Sequence, residues 1–579
     1  MRLLEAVAEW ARRTPDALAL EDPRGEKVTY AGLATLTHAA AVALRRRGIG
    51  HGSRVGLILP RSTDLVVMQL AVLRAGAAFA PMDPAQPTER LRMLLKTAAP
   101  DLLVIDDAGL AEADGGRATD VADLLATARS GSLDTAESGG PARPDDPAYC
   151  LFTSGSTGSP AGAVISRRAM DHYVSAYAEL AQCRPSDRAA QLGSPGFDVS
   201  VEEIWPFLYA GATVTIAADT ARSSPQRLAA WLRDSGITTA FVPPLLLEAF
   251  FRMAPAVDLG AVRLLRTGGE RLAGYPPEGF PYRVLNEYGP TETVVAATYC
   301  DVSSWQDRDV MPPIGRPLPH IRLSVRDQDG TVVAPGTPGE LYIGGPTLAI
   351  GYLDDEERTA RRFVRLDGER WFRSGDIVRA LPSGALAFLH RADEQVQLLG
   401  KRVEIGEVEA ALGSYPAVRR AAVLAVPDSA GRADHLVCYV RWADDVAGAD
   451  PVRLRAHLEG VLPGYMVPAA FHEVDDFPVT GAGKVDKEAL ARLHMAATHP
   501  PAEATDAVLD SLVRIWEDAL TTTGLTPDDD LFEHGATSLQ ALEIVATVHE
   551  RLERTVSIRN VFDHPTPRAL ARLWEGDAA

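Results

Sequence analysis

The stretch YCLFTSGSTGSPAGAVI, Tyr149 to Ile165, sets a loop of glycine and hydroxyl side chains between two apolar runs. Short apolar runs bounded by turn residues read as buried strands, so the loop hangs from a strand end. Glycines let backbone amides approach an anion closely, and serine and threonine hydroxyls add donors. Thr153, Ser154, Gly155, Ser156, Thr157 and Gly158 therefore have the composition of a phosphate cradle. It is not a Walker A loop, because GxxxxGK(S/T) needs a lysine that is absent here. Taken alone, the same residues read equally well as a flexible turn.

Outward from this loop, from about residue 27 to 390, short apolar runs alternate with amphipathic stretches, as in SRVGLILP, TDLVVMQLAVLRAGAAF, GATVTIA and RLAAWLRDSG. That alternation predicts βα units and largely parallel sheets. The polar, small-residue stretch GGRATDVADLLATARSGSLDTAESGGPARPDDP reads as a surface excursion. After residue 390, AAVLAVP, HLVCYVRW and PVRLRAHLEGVLP predict a smaller α+β unit, and HMAATHPPAEA reads as a linker. From about Thr505, three segments with apolar residues at helical spacing predict a small helical bundle.

The chain has 579 residues, 46% of them hydrophobic and 23% charged, enough apolar material for several cores. Its net charge of -20 argues against a general affinity for nucleic acid or an anionic membrane. Cys150, Cys183, Cys300 and Cys438 lie far apart without a CxxC pair, so neither a disulfide framework nor a zinc knuckle is indicated. Leu3, Leu4, Val7 and Trp10 share one helical face, but charged residues interrupt the stretch and it lacks a signal-peptide core. With no run long enough to span a bilayer, the expected location is the cytoplasm.

Further motifs follow in order: FDVSVEEIW, NEYGPTET, GELYIGG, GYLDDEERTARRF, FRSGDIV, RADEQVQLLGKRVEIGEVE, LPGYMVP and GAGKVDKEAL. This ordered set resembles the adenylation domains of nonribosomal peptide synthetases, members of the adenylate-forming superfamily, over the chain up to about residue 495. The resemblance implies an α/β adenylate-forming core over 1–393, a small α+β lid subdomain over 394–495, a linker over 496–504 and an all-α carrier domain over 505–579. It implies ATP and Mg2+, with Glu292 as the metal-linked carboxylate. Thr291 would meet the phosphate, Asn286 and Tyr288 the adenine, and Asp376 the ribose hydroxyls. The loop from Thr153 to Gly158, with Gly289, Phe388 and Arg391, completes the expected nucleotide site. Lys484 corresponds to the catalytic lysine and Asp393 to the hinge. The chemistry suits these residue types, because joining a carboxylate to a nucleotide phosphate brings two anions together and needs positive charge where charge develops.

Asp198 matches the family's partner for a substrate α-amino group, which favours an amino acid. By motif, Val199, Glu202, Phe241, Arg266, Gly268, Glu287, Val295 and Ala296 line the rest of that pocket. Two glutamates would draw in a cation and favour a basic side chain. Arg266 leaves a second reading open, a polar neutral or aromatic pocket with one glutamate neutralised. Departures from the family pattern are Ser159 and Ala161 in place of two loop lysines, His390 for a glycine and Leu399 for an arginine.

DDDLFEHGATSLQALEIVATVHERL resembles a carrier-protein motif, with Asp530, Phe532, Gly535 and Ser538 in place. A serine before an amphipathic helix is commonly a helix cap. Here the resemblance implies 4′-phosphopantetheine on Ser538, whose thiol would take up the activated amino acid for peptide antibiotic or related secondary-metabolite biosynthesis. Implied partners are a phosphopantetheinyl transferase and a downstream condensation or tailoring enzyme, and family habit allows a small MbtH-like protein. Two rivals stand beside this reading: an acyl- or aryl-CoA ligase releasing a soluble thioester, and a decayed, non-catalytic carrier scaffold.

Overall fold

The computed structural model describes the chain except for residues 1, 107–117, 130–141, 154–159, 223, 255, 394, 399, 428–431, 444–449, 475, 479–484, 486, 488, 491–505, 521, 533, 535, 537, 553, 555, 557 and 575–579. Most of the loop that opened the sequence argument, Ser154 to Ser159, lies outside the described residues, as do Lys484, Leu399, Gly535 and the expected linker. The chain divides into two compact units. The first holds residues 1–153, 160–218 and 229–393, and the second holds 154–159, 219–228 and 394–579.

In the first unit a nine-stranded sheet runs in the order Arg316–Pro317, Thr298–Asp301, Arg283–Tyr288, Leu264–Gly268, Thr239–Phe241, Arg188–Gln191, Thr213–Ile216, Leu18–Glu21 and Lys27–Thr29. The pairings from Arg283–Tyr288 to Leu18–Glu21 are parallel. A seven-stranded sheet carries the quoted stretch: Pro147–Thr153 lies parallel to Ala78–Met82 and antiparallel to Ala161–Ser166. Ala78–Met82 and Leu264–Gly268 are buried along their whole length, as strands covered on both faces must be. The region after residue 316 departs from the expected parallel pattern. Arg322–Arg326, Gly339–Gly344, Phe363–Leu366, Glu369–Ala380 and Leu386–Arg391 form an antiparallel sheet. Only short connections and one short helix, Glu356–Arg362, join these strands, too little for parallel crossovers throughout.

One apolar core takes residues from the nine- and seven-stranded sheets and from the helices Tyr30–Arg46, Thr63–Ala75, Arg167–Leu180 and Val199–Tyr209. Thr63–Ala75 shows how the sequence sets its limits. Ser62 accepts a hydrogen bond from Leu65 N–H at 3.2 Å, and Gly76 closes the helix at φ 95°, where a side chain would be strained. Replacing Ser62 by alanine should cost about 1 kcal/mol of stability, read from denaturant unfolding.

The polar stretch from residue 115 is not wholly a surface excursion. Thr119–Asp120 forms an edge strand and Val121–Arg129 a helix, with Val121, Leu124 and Leu125 buried. Those three apolar positions at helical spacing outweigh the small polar residues around them. The N-terminal helix Arg2–Arg13 buries Leu3 and Val7, and the Trp10 indole donates to the Tyr209 carbonyl at 3.0 Å. All four cysteines are free thiols, and Cys150, Cys300 and Cys438 are buried.

In the second unit Ala433–Trp442 is the central strand of three, between Val418–Pro427 and Ala470–Glu473. The helices Asp506–Leu520, Ser538–Leu552, Ile558–Asp563 and Pro567–Ala571 form the C-terminal bundle. The Trp516 indole and the Leu531 amide both donate to the Pro565 carbonyl, and Phe532 stacks on Phe562 at 4.6 Å. The bundle meets the small sheet through buried Asp434, which accepts from Ile558 N–H at 3.2 Å, and through an edge contact of His472 with His549. Among the described residues no helix is long and apolar enough to cross a membrane.

Candidate active site

The strand Arg283–Tyr288 and the turn after it organise the site. Gly289 must be glycine, because a Cβ there would sit 2.0 Å from the Val295 carbonyl. The turn Thr291–Thr293 ends at Val294, a β-branched residue held at φ 85° and ψ −74°. That conformation is costly and is tolerated only where surrounding structure fixes it. Val294 is fully buried, so the packing around it supplies that support.

This turn carries Thr291 to the start of the helix Val199–Tyr209, where its hydroxyl donates to Asp198 Oδ2 at 2.5 Å. Burial raises the Asp198 carboxyl, the Thr291 hydrogen bond opposes this, and the charges of Glu202 and Glu292 add to it, leaving a pKa of about 6. Glu292 is fully buried and accepts from the Tyr352 hydroxyl at 2.6 Å. Asn286, also buried, donates its amide to the Pro313 carbonyl at 2.9 Å.

A second cluster joins Tyr288 to the antiparallel sheet. Its hydroxyl donates to Asp376 Oδ2 at 2.5 Å, and Arg391, paired with Asp376 across two strands, donates to Oδ1 at 2.6 Å. The same guanidinium donates to Asp393 at 2.6 and 2.8 Å, and Arg362 adds a contact to Asp393 at 3.1 Å. Burial alone would raise the Asp393 carboxyl, but the hydrogen bonds and charges of Arg391 and Arg362 hold it at about 2. Gly375, at φ 78°, makes room for this cluster: a Cβ would lie 2.7 Å from Arg391 Nη2. Phe388 is half-buried and lies under the Arg271 guanidinium at 5.3 Å.

Of the residues expected to line the pocket, Glu202, Arg266, Glu287 and Ala296 are bonded to one another or to two tyrosines. Arg266 donates to Glu202 at 2.7 Å, the Tyr173 hydroxyl donates to the other Glu202 oxygen at 2.5 Å, and the Tyr177 hydroxyl donates to Glu287. Tyr173 also accepts from Ala296 N–H at 3.3 Å. Gly268 is required, since a Cβ would lie 2.3 Å from the Glu287 carbonyl. Sequence reading missed Tyr173, Tyr177, Tyr352 and Arg362. The two tyrosines on Arg167–Leu180 stand four residues apart and so share a helix face, the one signal that could have found them.

In the second unit Ser538 is the first residue of the helix Ser538–Leu552. Before it, Asp530 accepts from Phe532 N–H at 2.8 Å, and Ala536 N–H donates to the Leu531 carbonyl at 3.2 Å.

Comparison with known proteins defines the class. The family model for AMP-binding enzymes matches residues 7–353, that for the AMP-binding enzyme C-terminal domain matches 407–484, and that for the phosphopantetheine attachment site matches 510–574. The chain belongs to the AMP-binding enzymes, and the matches join their N- and C-terminal domains to a phosphopantetheine attachment site. It is 37% identical over 94% of its length to a component of the linear gramicidin synthase of Brevibacillus parabrevis. It is 33% identical over 97% of its length to bacitracin synthase 1 of Bacillus licheniformis. It spans only 7% and 10% of those two relatives. Among solved structures it resembles a holo synthetase protein containing adenylation and peptidyl carrier domains bound to a vinylsulfonamide inhibitor. The TM-score is 0.72 at 24% identity, covering 99% of this chain and 96% of that one.

ATP with Mg2+, and 4′-phosphopantetheine on the carrier, are the cofactors of this domain pair. The residues fit the metal. Among the described residues no group of three His, Cys, Asp or Glu could cage an ion. Mg2+ commonly takes one or two protein carboxylates and completes its shell with phosphate and water, so buried Glu292 alone suffices.

Proposed function

We propose that this chain activates an amino acid with ATP as the aminoacyl adenylate and passes it to its own carrier domain. The observation that carries the reading is the hydrogen bond between Thr291 and Asp198, which sets the proposed ammonium anchor beside the turn Thr291–Thr293 that carries Glu292. A carboxylate lodged there complements the substrate amine. In this reading its neighbour Thr291 meets the phosphate, Asn286 and Tyr288 meet the adenine, and Asp376 accepts the ribose hydroxyls. Mg2+ on Glu292 would neutralise phosphate charge as pyrophosphate leaves. Lys484 supplies the remaining positive charge to the reacting carboxylate and phosphate, and Asp393 acts as the hinge. Ser538 carries the phosphopantetheine arm, whose thiol accepts the aminoacyl group.

In this reading the domains span 1–393, 394–495 and 505–579, joined by a linker at 496–504, and a phosphopantetheinyl transferase prepares the carrier. A downstream condensation or tailoring enzyme takes the product. To test it, the pantetheinylated protein is incubated with ATP, Mg2+ and an amino-acid mixture, and its intact mass is measured. A mass gain of one aminoacyl group is expected. Release of soluble coenzyme A thioester with an unloaded carrier would favour the CoA-ligase reading, and no adenylation at all the scaffold reading.

The pH dependence follows from Asp198. Its carboxyl is raised to about 6, and only the carboxylate pairs with an ammonium, so binding is intact above that pH and lost as pH falls through it. Below about pH 6, kcat/KM for the amino acid in ATP–pyrophosphate exchange should fall by up to about tenfold per unit, as expected for one titrating group. Asp198→Asn should abolish that acid limb.

A further inference from the structure

The residues around Asp198 divide by depth. Val199 and Phe241 are half-exposed, and Val295 and Glu287 keep 9% and 5% of their surface, whereas Glu202 and Arg266 keep none. Solvent therefore reaches part of Glu287 and Val295 but neither Glu202 nor Arg266. Behind them the Arg266 guanidinium is tied to Glu202 at 2.7 Å and lies over the rings of Phe207 at 5.2 Å and Tyr177 at 5.9 Å. Its Nε and Nη2 have no hydrogen-bond partner, so those ring faces provide its remaining cover. Tyr173 and Tyr177 stack at 5.5 Å and brace the carboxylates from the other side.

Charge points the same way as space. Glu202 and Arg266 cancel, and Arg266 stays protonated because, although burial would lower its pKa, the groups at Tyr177, Glu202 and Glu287 raise it. Burial, with the charge of Glu202, pushes the Glu287 carboxyl well above the usual range. A substrate ammonium arriving here would lose its water, and the carboxyl oxygen without a partner, Glu287 Oε2, belongs to a group that burial biases toward its protonated form.

We infer that the Glu202–Arg266 pair is a specificity-determining plug, and that the substrate is an amino acid whose short, uncharged side chain ends at Glu287 and Val295. This rests on the proposed amino-acid activation and narrows its substrate class. The pair acts by bulk, so filling the same space without charge should preserve the preference, and emptying the space should broaden it.

The test is ATP–pyrophosphate exchange by the full chain with glycine, alanine, serine, leucine, phenylalanine, ornithine, lysine and arginine. Wild type is compared with Glu202→Ala/Arg266→Ala, which opens the space, and Glu202→Gln/Arg266→Met, which fills it without charge; thermal unfolding checks each fold. Wild type should favour glycine, alanine or serine by at least about tenfold over the longer side chains, the scale set by a few methylene groups. The opening variant should move its preference toward longer side chains by a similar factor, and the filling variant should keep the wild-type order. Should the opening variant fail to fold, the wild-type panel and the filling variant decide. Wild-type preference for a basic or large side chain, or broadening by the filling variant, would overturn the inference and leave amino-acid activation standing. Exchange with no amino acid would overturn both.

Discussion

Replacing Lys484 with alanine is expected to lower ATP–pyrophosphate exchange by about a hundred- to a thousand-fold, the scale for removing one donor aimed at developing charge. The proposed reaction joins a carboxylate to a phosphate, and each added negative charge at the site raises the barrier unless it is met. Glu292 can hold a metal but brings a negative charge of its own. The loop that would otherwise share the work carries Ser159 and Ala161 where the resembling family has lysines. More of the neutralising charge therefore falls on Lys484 here. The loss should appear mainly in kcat, because the interaction grows as the transition state forms, while KM for the amino acid would be set at the proposed anchor, Asp198. Near-normal exchange by the variant would remove Lys484 from the mechanism.

Ser538→Ala should abolish loading altogether, because no other hydroxyl would receive the phosphopantetheine arm. Intact mass should show neither the arm nor an aminoacyl group after treatment with a phosphopantetheinyl transferase, ATP, Mg2+ and substrate. Exchange of pyrophosphate should persist, since it needs only the adenylation half-reaction. The two variants thus separate the half-reactions: one slows the first and all that depends on it, the other removes only the second. The bundle is tied by the Trp516 indole on the Pro565 carbonyl and by Phe532 on Phe562, and thermal unfolding of the variant separates loss of the attachment residue from loss of folding. An arm found on Ser538→Ala would assign the attachment to another residue.

Much of the fold was legible because its strands are buried on both faces. Arg54–Ile58 within SRVGLILP and Thr213–Ile216 within GATVTIA stood out as apolar runs for that reason. The helix Thr63–Ala75 announced both ends, with Ser62 before it and Gly76 after it. Val121–Arg129 was hidden, since three apolar residues among alanines and polar neighbours are a weak periodic signal. At the site, motif order named Asp198, Glu292 and Asp376, but pairings across long sequence gaps were not readable. Glu202 and Arg266 meet over a separation of 64 residues, and only the fold shows that the arginine lies sealed against one of the two glutamates. Tyr352, 60 residues from Glu292, was invisible for the same reason. Arg362 lay in plain view within EERTARRF, yet nothing local links it to Asp393.

The Arg391 guanidinium is one cation answering to two carboxylates, Asp376 and Asp393. A ligand that competes for Asp376 must change the hold on Asp393, and a backbone rotation that pulls Asp393 away must change the affinity at Asp376 by the same factor. Occupancy and torsional freedom are in this way written into a single thermodynamic cycle, closed by one side chain.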